Sequence, residues 1–387
     1  MKKNNLFRKI IFTIFIVIIL RIGNYIPVAH IDQRYLINII NSNPSLKIFF
    51  NTKDLVLSIF TLGIIPSLNS SIVIQSLTSI FPYFQQLQKE EGERGRRQIK
   101  QSTRTLTCVF AILQSLSISF SLKPFIFNWD FNICFDITLT LVTGAMIVLW
   151  LSDLITEKGI GNGSSIILAL NIISTLPNTF KIIFNSGTYS SIFSTFLIFT
   201  FLIIGIIYLQ EGVKIIPLIS SKQLLIKKSR RLNKFSYLPL RINQVGVMPI
   251  IFTSTFLSFF TIIINSIFNG LNLGTLLNYP LLFKIIYAIL NFILIIVFSF
   301  FYSSLMLNPI EIARELNRMG VTIKNVRPGQ QTASYLKKNL KRLTIIGSVL
   351  LAVFGTFPIL GNTYGLSITS LIILISVIIE TTRQIKK

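Results

Sequence analysis

Charged residues are scarce in this chain of 387 residues. Only 13% of the residues are Asp, Glu, Lys or Arg, whereas a soluble globular domain usually has about a quarter. The scarcity comes with long apolar runs, for example 10–20, 191–207 and 370–379. Water cannot solvate that much aliphatic and aromatic surface, so the solvent of these runs must be lipid. A soluble multi-domain protein is therefore excluded.

Histidine and cysteine are almost absent. The single histidine, His30, excludes a histidine-rich metal site. Cys108 lies within an apolar run and Cys134 at the edge of one, which is typical of small buried side chains. A disulfide between them would need one shared oxidising compartment, and it is the less favoured alternative. We expect no metal and no cofactor.

Groups that could catalyse a reaction are also missing. The chain has no Gly-Lys dipeptide, so a Walker A phosphate loop is excluded and energy from ATP would have to come from another protein. A serine hydrolase needs a histidine in its site, and a membrane aspartyl protease needs two mid-span aspartates. His30 lies in the first predicted outer loop, and no aspartate lies in mid-span. The sequence therefore predicts a protein that is not an enzyme.

The apolar stretches predict ten membrane-spanning helices. A spanning helix needs about 20 residues. The predicted spans are 10–27, 64–83, 104–122, 134–151, 164–180, 191–209, 244–264, 281–303, 343–360 and 366–380. The basic N-terminus before the first span could belong to a secretory signal, but no small-residue cleavage pattern follows Leu20, which favours an uncleaved first span.

The basic residues indicate the orientation of these spans. With the N-terminus inside, thirty Lys and Arg residues fall on the inner side and six on the outer side, as the positive-inside rule requires. An even number of spans also places Arg383, Lys386 and Lys387 inside. We predict that both termini lie on the cytoplasmic or stromal side.

Two predicted inner loops, 210–241 and 308–342, are long and strongly basic. Each has eight basic residues, against Glu211 in the first and Glu311 and Glu315 in the second. Such loops could simply be solvated and touch anionic lipid. However, they are longer than connectors need to be, which favours docking of an anionic partner such as ribosomal RNA or an acidic protein surface.

No Asp, Glu, Lys or His lies in the middle of a predicted span. A charge at the bilayer centre costs about 2.5–3.5 kcal/mol, so proteins keep one only for a purpose. A secondary transporter needs a polar or charged site at the midplane, so solute transport is the weaker alternative. Before the second span, the half-apolar stretch 46–62 is too short to cross alone. From its residues, an outer loop and a short helix that dips into the membrane are equally favoured.

Several segments, taken together, resemble signatures of the SecY family in the same order and at matching spacing. They are RIGNYIP (21–27), LGIIP (62–66), SSIVIQ (70–75), EGERGRRQ (91–98), ITEKGIGNGSSI (155–166), LPLRINQVGVMP (238–249), NP (308–309) and VRPGQQT (326–332). The resemblance implies an all-α membrane protein with ten transmembrane helices. These would form two five-helix halves, 1–190 and 191–387, related by inverted pseudo-symmetry, with a short re-entrant plug helix at about 46–63.

The resemblance also implies a hydrophobic pore ring. Its members would be Ile64, Leu68, Leu168, Ile251 and Ile373. Taken singly, each is as easily a packing or lipid-facing side chain. A narrow apolar ring, in contrast, dewets and blocks ions but yields to a passing chain. A further ring position holds Ser164, which weakens the apolar seal there.

A lateral gate between spans two and seven is implied as well. Gln75, Gln114 and Asn243 match its polar positions. Uncharged amides in lipid tend to pair across helices, with about 1 kcal/mol for each pair, so a few could hold a gate shut and still let it open. The alternative is that they pack locally.

The basic residues that the resemblance implies for docking of a motor or ribosome are Arg327, Arg230, Arg231, Arg96 and Arg97. Arg96 and Arg97 could instead be structural. The implied partners are the small subunit SecE, a SecG-like subunit, the motor ATPase SecA, the ribosome, signal-bearing precursor proteins and the lipid bilayer.

The function implied by the resemblance is that of a pore-forming subunit of a protein-conducting channel. Such a channel moves unfolded precursors across the membrane and releases apolar segments laterally into it. The chain is compact and rich in Ile, Phe, Asn and Lys, the residues of AT-rich codons. These features favour a plastid-encoded member in the thylakoid membrane, with the inner membrane of a bacterium with a reduced genome as the alternative.

Overall fold

The computed structural model describes residues 2–29, 57–81, 83–84, 87, 92–122, 129–186, 189–220, 237–243, 246–257, 280–306, 308–360 and 368–386. Contacts within the chain divide it into two compact units. One consists of Met1–Ile182 with Val377–Lys387, and the other of Ile183–Ser376. The predicted halves 1–190 and 191–387 and their inverted symmetry stay predictions.

The described elements are mostly helices. In chain order they are α1 (Lys2–Tyr25), α2 (Ile65–Ile80), α3 (Gly92–Leu122), α4 (Phe131–Lys158), α5 (Gly163–Ser186), α6 (Tyr189–Glu211), β1 (Val213–Ser220), β2 (Tyr237–Arg241), α7 (Met248–Leu257), α8 (Pro280–Met306), α9 (Pro309–Arg318), β3 (Val321–Ile323), α10 (Gln330–Leu360) and α11 (Ile368–Lys386). Each predicted span overlaps a described helix.

Within the described residues, four helical stretches are long and apolar enough to cross a membrane. They are Gly92–Phe120, Phe131–Lys158, a stretch from Ile285 that includes most of α8, and Gln330–Thr356. Shorter apolar helices cover Gly163–Ser174, Phe199–Glu211 and Met248–Leu257. The fold class is confirmed as a mainly helical membrane protein, and the count of ten spans stays a prediction.

In the first unit, α2 packs on α3, α3 on α4, and α1 on α4. Hydroxyl groups join these helices where they meet. Ser70 Oγ and Thr107 Oγ1 lie 2.6 Å apart between α2 and α3, and Ser119 Oγ donates to Cys134 Sγ at 3.2 Å between α3 and α4. Because lipid offers these groups no hydrogen-bond partner, such pairing satisfies them internally.

The stretch that leads into α2 is not helical. Residues 46–56 of the predicted plug lie outside the described residues, and 57–63 form a β-bridge between Pro27 and Ser58 followed by turns. Thr61 Oγ1 accepts the Ser58 N–H at 2.8 Å and donates to the Ser58 carbonyl at 2.7 Å. A hydroxyl that binds the backbone in this way competes with helix formation. The predicted end of the plug helix at about residue 63 is therefore corrected, because the described residues 57–63 are not helical.

In the second unit, the described parts of the two predicted basic loops fold together. The strands form one antiparallel sheet in the order β2-β1-β3, in which Ile216 pairs with Leu238 and Leu218 pairs with Ile323. The sheet, α9 and the start of α10 enclose one apolar core. Its buried members are Ile216, Leu218, Leu240, Ala313, Leu316, Ile323, Leu336, Leu340 and Leu343. We call residues 213–220, 237–243 and 308–343 the basic-loop module.

The membrane helices of the second unit pack closely beside this module. Helix α8 lies along α10, where Ser303 Oγ and Thr344 Oγ1 are 2.7 Å apart and buried. A Cβ added to Gly355 of α10 would meet only the end of the Ile295 side chain, at 2.7 Å. Small residues at this interface let the two helices approach closely, as is usual in membranes.

Candidate functional site

Two candidate pore-ring residues lie at the start of α2. Ile64 is 1% exposed and Leu68 is 4% exposed. The carbonyl of Ile64 accepts the N–H of Leu68 at 3.1 Å and the hydroxyl of Ser67 at 2.8 Å, so Ile64 caps the helix through its backbone. Pro66 follows within the first turn, where its missing N–H leaves no helical bond unmade. The two aliphatic side chains are thus held by a well-formed helix start.

The other three candidates lie on separate helices. Leu168 is half-buried on α5 of the first unit, Ile251 is 6% exposed on α7, and Ile373 is half-buried on α11. The remaining ring position, Ser164, donates its hydroxyl to Asn162 Oδ1 at 2.9 Å, so this polar group is already bound at the start of α5. The pore ring itself stays a prediction.

The candidate gate amides have different surroundings. Gln75 is exposed on α2, and Gln114 is half-buried on α3. Asn243 is buried, donates from Nδ2 to the Gly246 carbonyl at 3.0 Å and accepts the Gly246 N–H on Oδ1 at 3.1 Å. These two bonds close the turn that leads into α7. For Asn243 they support local packing, the alternative to pairing across a gate.

Arg327 lies in the turn between β3 and α10 and is exposed. Its carbonyl accepts a hydrogen bond of 2.9 Å from the hydroxyl of Thr332, which is buried. Two residues earlier, Asn325 has a φ of 63°, a left-handed conformation that few residues other than glycine adopt. Val326 packs on the core of the basic-loop module. The turn therefore holds Arg327 in a defined place at the surface of the module.

Other basic side chains share this surface. Besides Lys214 and Arg327, the exposed ones in the described part of the module are Arg241, Arg314, Arg318, Lys324, Lys337, Lys338, Lys341 and Arg342. Lys214 is used differently, because its Nζ donates to Asn339 Oδ1 at 2.8 Å and ties β1 to α10. Arg230 and Arg231 lie outside the described residues. The module thus presents a concentrated positive charge that can attract an anionic surface.

Arg96 and Arg97 are exposed in the first turns of α3. Arg97 lies 3.9 Å from Glu93, and because both side chains are highly exposed the pair contributes little to stability. Further along the helix, Lys100 and Arg104 face α4. Lys100 Nζ lies 3.2 Å from Asp153 and 3.3 Å from Glu157, and Arg104 also binds Asp153.

Sequence reasoning missed this ion-pair network. Its signal was present, since two cations four residues apart on α3 face two carboxylates four residues apart on α4. The carboxylates partly neutralise Lys100 and Arg104. Both residues are among the thirty basic residues that the sequence assigns to the inner side. Arg96 and Arg97 lie outside it, which agrees with a docking role for them better than for Lys100 and Arg104.

A contact between the basic-loop module and its membrane helices was also missed. The N–H of Ile242 donates to the Gly212 carbonyl at 2.8 Å, and a Cβ on Gly212 would lie 2.6 Å from the Ile242 side chain. On the other side, a Cβ on Gly347 of α10 would lie 2.7 Å from the Ile242 carbonyl oxygen. Ile242, the residue after β2, thus contacts both the residue that follows α6 and helix α10, shortly before α7 begins.

The comparison with protein families agrees with the motifs. The family described as SecY matches residues 58–382, which is more than four fifths of the chain. The chain belongs to the SecY family. Two relatives, each described as protein translocase subunit SecY, extend the match to the N-terminus. That of Guillardia theta is 41% identical over 405 residues, covering 100% of this chain and 95% of the relative. That of a Synechocystis strain is 38% identical over 411 residues, covering 98% and 91%.

Solved structures show the same fold. A structure described as a protein conducting channel has a TM-score of 0.67 at 15% identity, covering 98% of this chain and 92% of that chain. Canine Sec61 in a ribosome–channel complex from the endoplasmic reticulum has a TM-score of 0.63 at 14% identity, with the same coverage. Likeness at these identities shows the fold alone. Membership of the SecY family confirms the resemblance that the ordered motifs indicated.

Proposed function

We propose that this chain is the pore-forming subunit of a protein-conducting channel, which moves unfolded precursors across the membrane and releases apolar segments sideways into it. The observation that carries the proposal is the full-length similarity to relatives described as protein translocase subunits. The spans agree with this role, because they lack the mid-span charges that a solute transporter needs. Solute transport is therefore not favoured.

The candidate ring residues give this channel a resting seal. Ile64, Leu68 and Ile251 are almost fully buried aliphatic side chains on two helices that the family resemblance assigns to the pore. A constriction lined by such groups repels water and therefore ions. Because it contains no fixed charge or strong hydrogen bond, it can also widen for a polypeptide at modest cost.

The basic-loop module is the proposed docking surface. The solved Sec61 structure is that of a ribosome–channel complex, and a likeness to the idle yeast Ssh1 complex bound to the 80S ribosome has a TM-score of 0.63. An anionic partner would be drawn to Arg327 and its exposed basic neighbours. We propose the ribosome and the motor ATPase SecA as partners at this surface, SecE and a SecG-like subunit as membrane partners, and signal-bearing precursors as cargo.

The relatives support a proposal for the membrane that holds the channel. They come mostly from algal plastids and cyanobacteria, which favours a plastid-encoded protein in the thylakoid membrane. The distribution of basic residues supports a stromal location for the module and both termini. The bacterial inner membrane is the alternative compartment.

A transport assay tests the proposed function. The full chain is co-purified with its small membrane subunits, reconstituted in liposomes and given a signal-bearing precursor with SecA and ATP. We expect precursor to become protected from added protease, and the same precursor without its signal to stay accessible. If the assembled chain protects no precursor but accumulates a small solute against a gradient, the transporter alternative replaces the channel.

A further inference from the structure

The stretch 57–63 is fitted into two helices of the first unit at glycine positions. The carbonyl oxygen of Ile59 occupies the place where a Cβ on Gly144 of α4 would lie, and the ring of Phe60 occupies the place of a Cβ on Gly23 of α1. A glycine in a helix interior costs about 1 kcal/mol relative to alanine. Both glycines therefore have a packing reason, which is to admit this stretch.

Backbone hydrogen bonds fix the same stretch to the residues that follow α1. The N–H of Val28 donates to the Leu57 carbonyl at 2.9 Å, and the N–H of Ile59 donates to the Ile26 carbonyl at 3.1 Å. At its other end, the N–H of Gly63 donates to the Phe60 carbonyl at 2.9 Å, and Gly63 has a φ of +54° that favours glycine. The backbone therefore has little freedom to shift without losing several of these bonds.

A third helix, α5, contacts both α1 and the end of this stretch. The Arg21 guanidinium donates to the Leu170 carbonyl of α5 at 2.7 Å. The Asn171 side chain of α5 lies 3.6 Å from the place of a Cβ on Gly63, an ordinary van der Waals contact. Gly63 is followed directly by Ile64, which is buried and begins α2. Whatever holds residues 57–63 therefore also sets the position of Ile64.

We propose that Gly23 and Gly144 are positioning residues, which hold residues 57–63 as a fixed anchor and so place Ile64 for the resting seal of the channel. This inference rests on the proposed function. A methyl group at Gly144 must displace the Ile59 backbone, and one at Gly23 must displace the Phe60 ring, so each disturbs the anchor. Ile64 then moves with it, and the apolar constriction admits ions although no precursor is present.

The test measures ion leakage through the resting channel. The full chain with its small membrane subunits is placed in liposomes that contain a halide-sensitive dye, without motor, ribosome or precursor. Gly144→Ala and Gly23→Ala are compared with wild type, and Gly355→Ala on α10 is the matched control, because its methyl group would meet only a flexible side-chain end. Melting temperatures are recorded for every variant, and protease protection of a precursor is measured in parallel.

A compensating double substitution keeps the test decisive if Gly144→Ala does not fold. Phe60→Val removes the ring that a methyl group at Gly23 would meet, so the double variant Gly23→Ala/Phe60→Val restores the space. We expect a several-fold rise in leakage for Gly23→Ala and for any folded Gly144→Ala, a wild-type value for Gly355→Ala, and a leakage in the double variant well below that of Gly23→Ala.

Two results would overturn the anchor. One is wild-type leakage in folded Gly23→Ala and Gly144→Ala, and the other is a double variant that leaks as much as Gly23→Ala. If wild type protects precursor in the same experiment, either result removes the anchor alone. A wild-type assembly that protects no precursor would instead remove the proposed function on which the anchor rests.

Discussion

The carbonyl oxygen of Ile242 lies so close to α10 that a Cβ on Gly347 would stand 2.7 Å from it. Ile242 is the residue after β2, and Asn243 next to it closes the turn into α7. The contact therefore holds the residue after β2 against α10, a few residues before α7, the helix that carries Ile251. We expect a partner that displaces the module to displace the start of α7 as well.

Gly347→Ala should disturb this junction. The added methyl group forces the Ile242 backbone to move, and overpacking of this kind typically costs about 1–3 kcal/mol. We expect a lower melting temperature and a loss of SecA-driven transport. Gly355→Ala, two turns further along α10, should change both much less, because its methyl group would meet only the flexible end of Ile295. Equal effects of the two substitutions would contradict a special role of the junction.

Arg327→Glu should abolish SecA-driven transport and leave membrane insertion of the subunit intact. The substitution reverses the charge at an exposed turn, so the fold should persist while the attraction to an anionic partner is lost. Arg318→Glu at the end of α9 is the matched control, since it makes the same change elsewhere on the module. Normal transport by Arg327→Glu would refute the role of Arg327, and equal loss in both variants would indicate overall charge rather than this position.

Thr332→Val should weaken docking without removing any charge. It deletes the hydroxyl that holds the Arg327 carbonyl and leaves that turn less well defined. A hydrogen bond of this kind contributes about 0.5–1.5 kcal/mol, so we expect reduced affinity for SecA, measured by binding to reconstituted liposomes. Thr332→Ser keeps the hydroxyl and should bind like wild type. If the serine variant loses as much affinity as the valine variant, the hydroxyl does not position Arg327.

Asp153→Asn should destabilise the first unit more than Glu157→Gln. Asp153 binds both Lys100 and Arg104 and its side chain is 23% exposed, whereas Glu157 contacts Lys100 alone and is 61% exposed. Because both cations are nearly half exposed, Asp153→Asn should lower the free energy of unfolding by only about 1 kcal/mol. Melting temperatures at low and high salt check this, with a smaller difference expected at high salt. A larger effect of Glu157→Gln would contradict the geometry of the network.

Much of the membrane fold could be predicted from the sequence, because an apolar run of about twenty residues is stable in few settings except a lipid bilayer. The positions of the helix ends could not be predicted in this way. Helix α3 begins at Gly92 and α10 at Gln330, each more than ten residues before the predicted span. Both extensions are basic and polar, and such residues end the apolar run without ending the helix. Hydropathy therefore locates the lipid-facing part of a helix rather than its full length.

The sheet was missed for a different reason. Its strands carry basic residues and prolines, Pro217 and Pro239, and β1 pairs with a strand about one hundred residues later in the chain. Charge and length drew attention to these loops as docking elements, but neither indicates that two distant loops share a core. Buried Ile216 and Leu218 alternate with exposed Ile215 and Pro217, but because these exposed neighbours are apolar too, the sequence shows no alternation that would predict the strand.

Residues of the candidate site could be predicted from the sequence only where they belong to a motif. The segment VRPGQQT singled out Arg327, but the bond from Thr332 depends on a turn whose geometry the residue types do not specify. Gly23, Gly144 and Gly347 were invisible for the same reason, since a helical glycine is informative only when its neighbour is known. Asn243, expected at the gate, makes its observed bonds within its own turn.

Site-specific crosslinking tests the central claim most directly. A photoreactive residue replaces Ile64, Leu68 or Ile251 in turn, and a signal-bearing precursor is stalled during transport. Phe201, which is 70% exposed on α6, is the control position. The channel predicts adducts from the middle of the stalled precursor at all three buried positions and few at Phe201. Adducts at Phe201 alone, or none at the three positions while precursor is still transported, would contradict a passage lined by these residues.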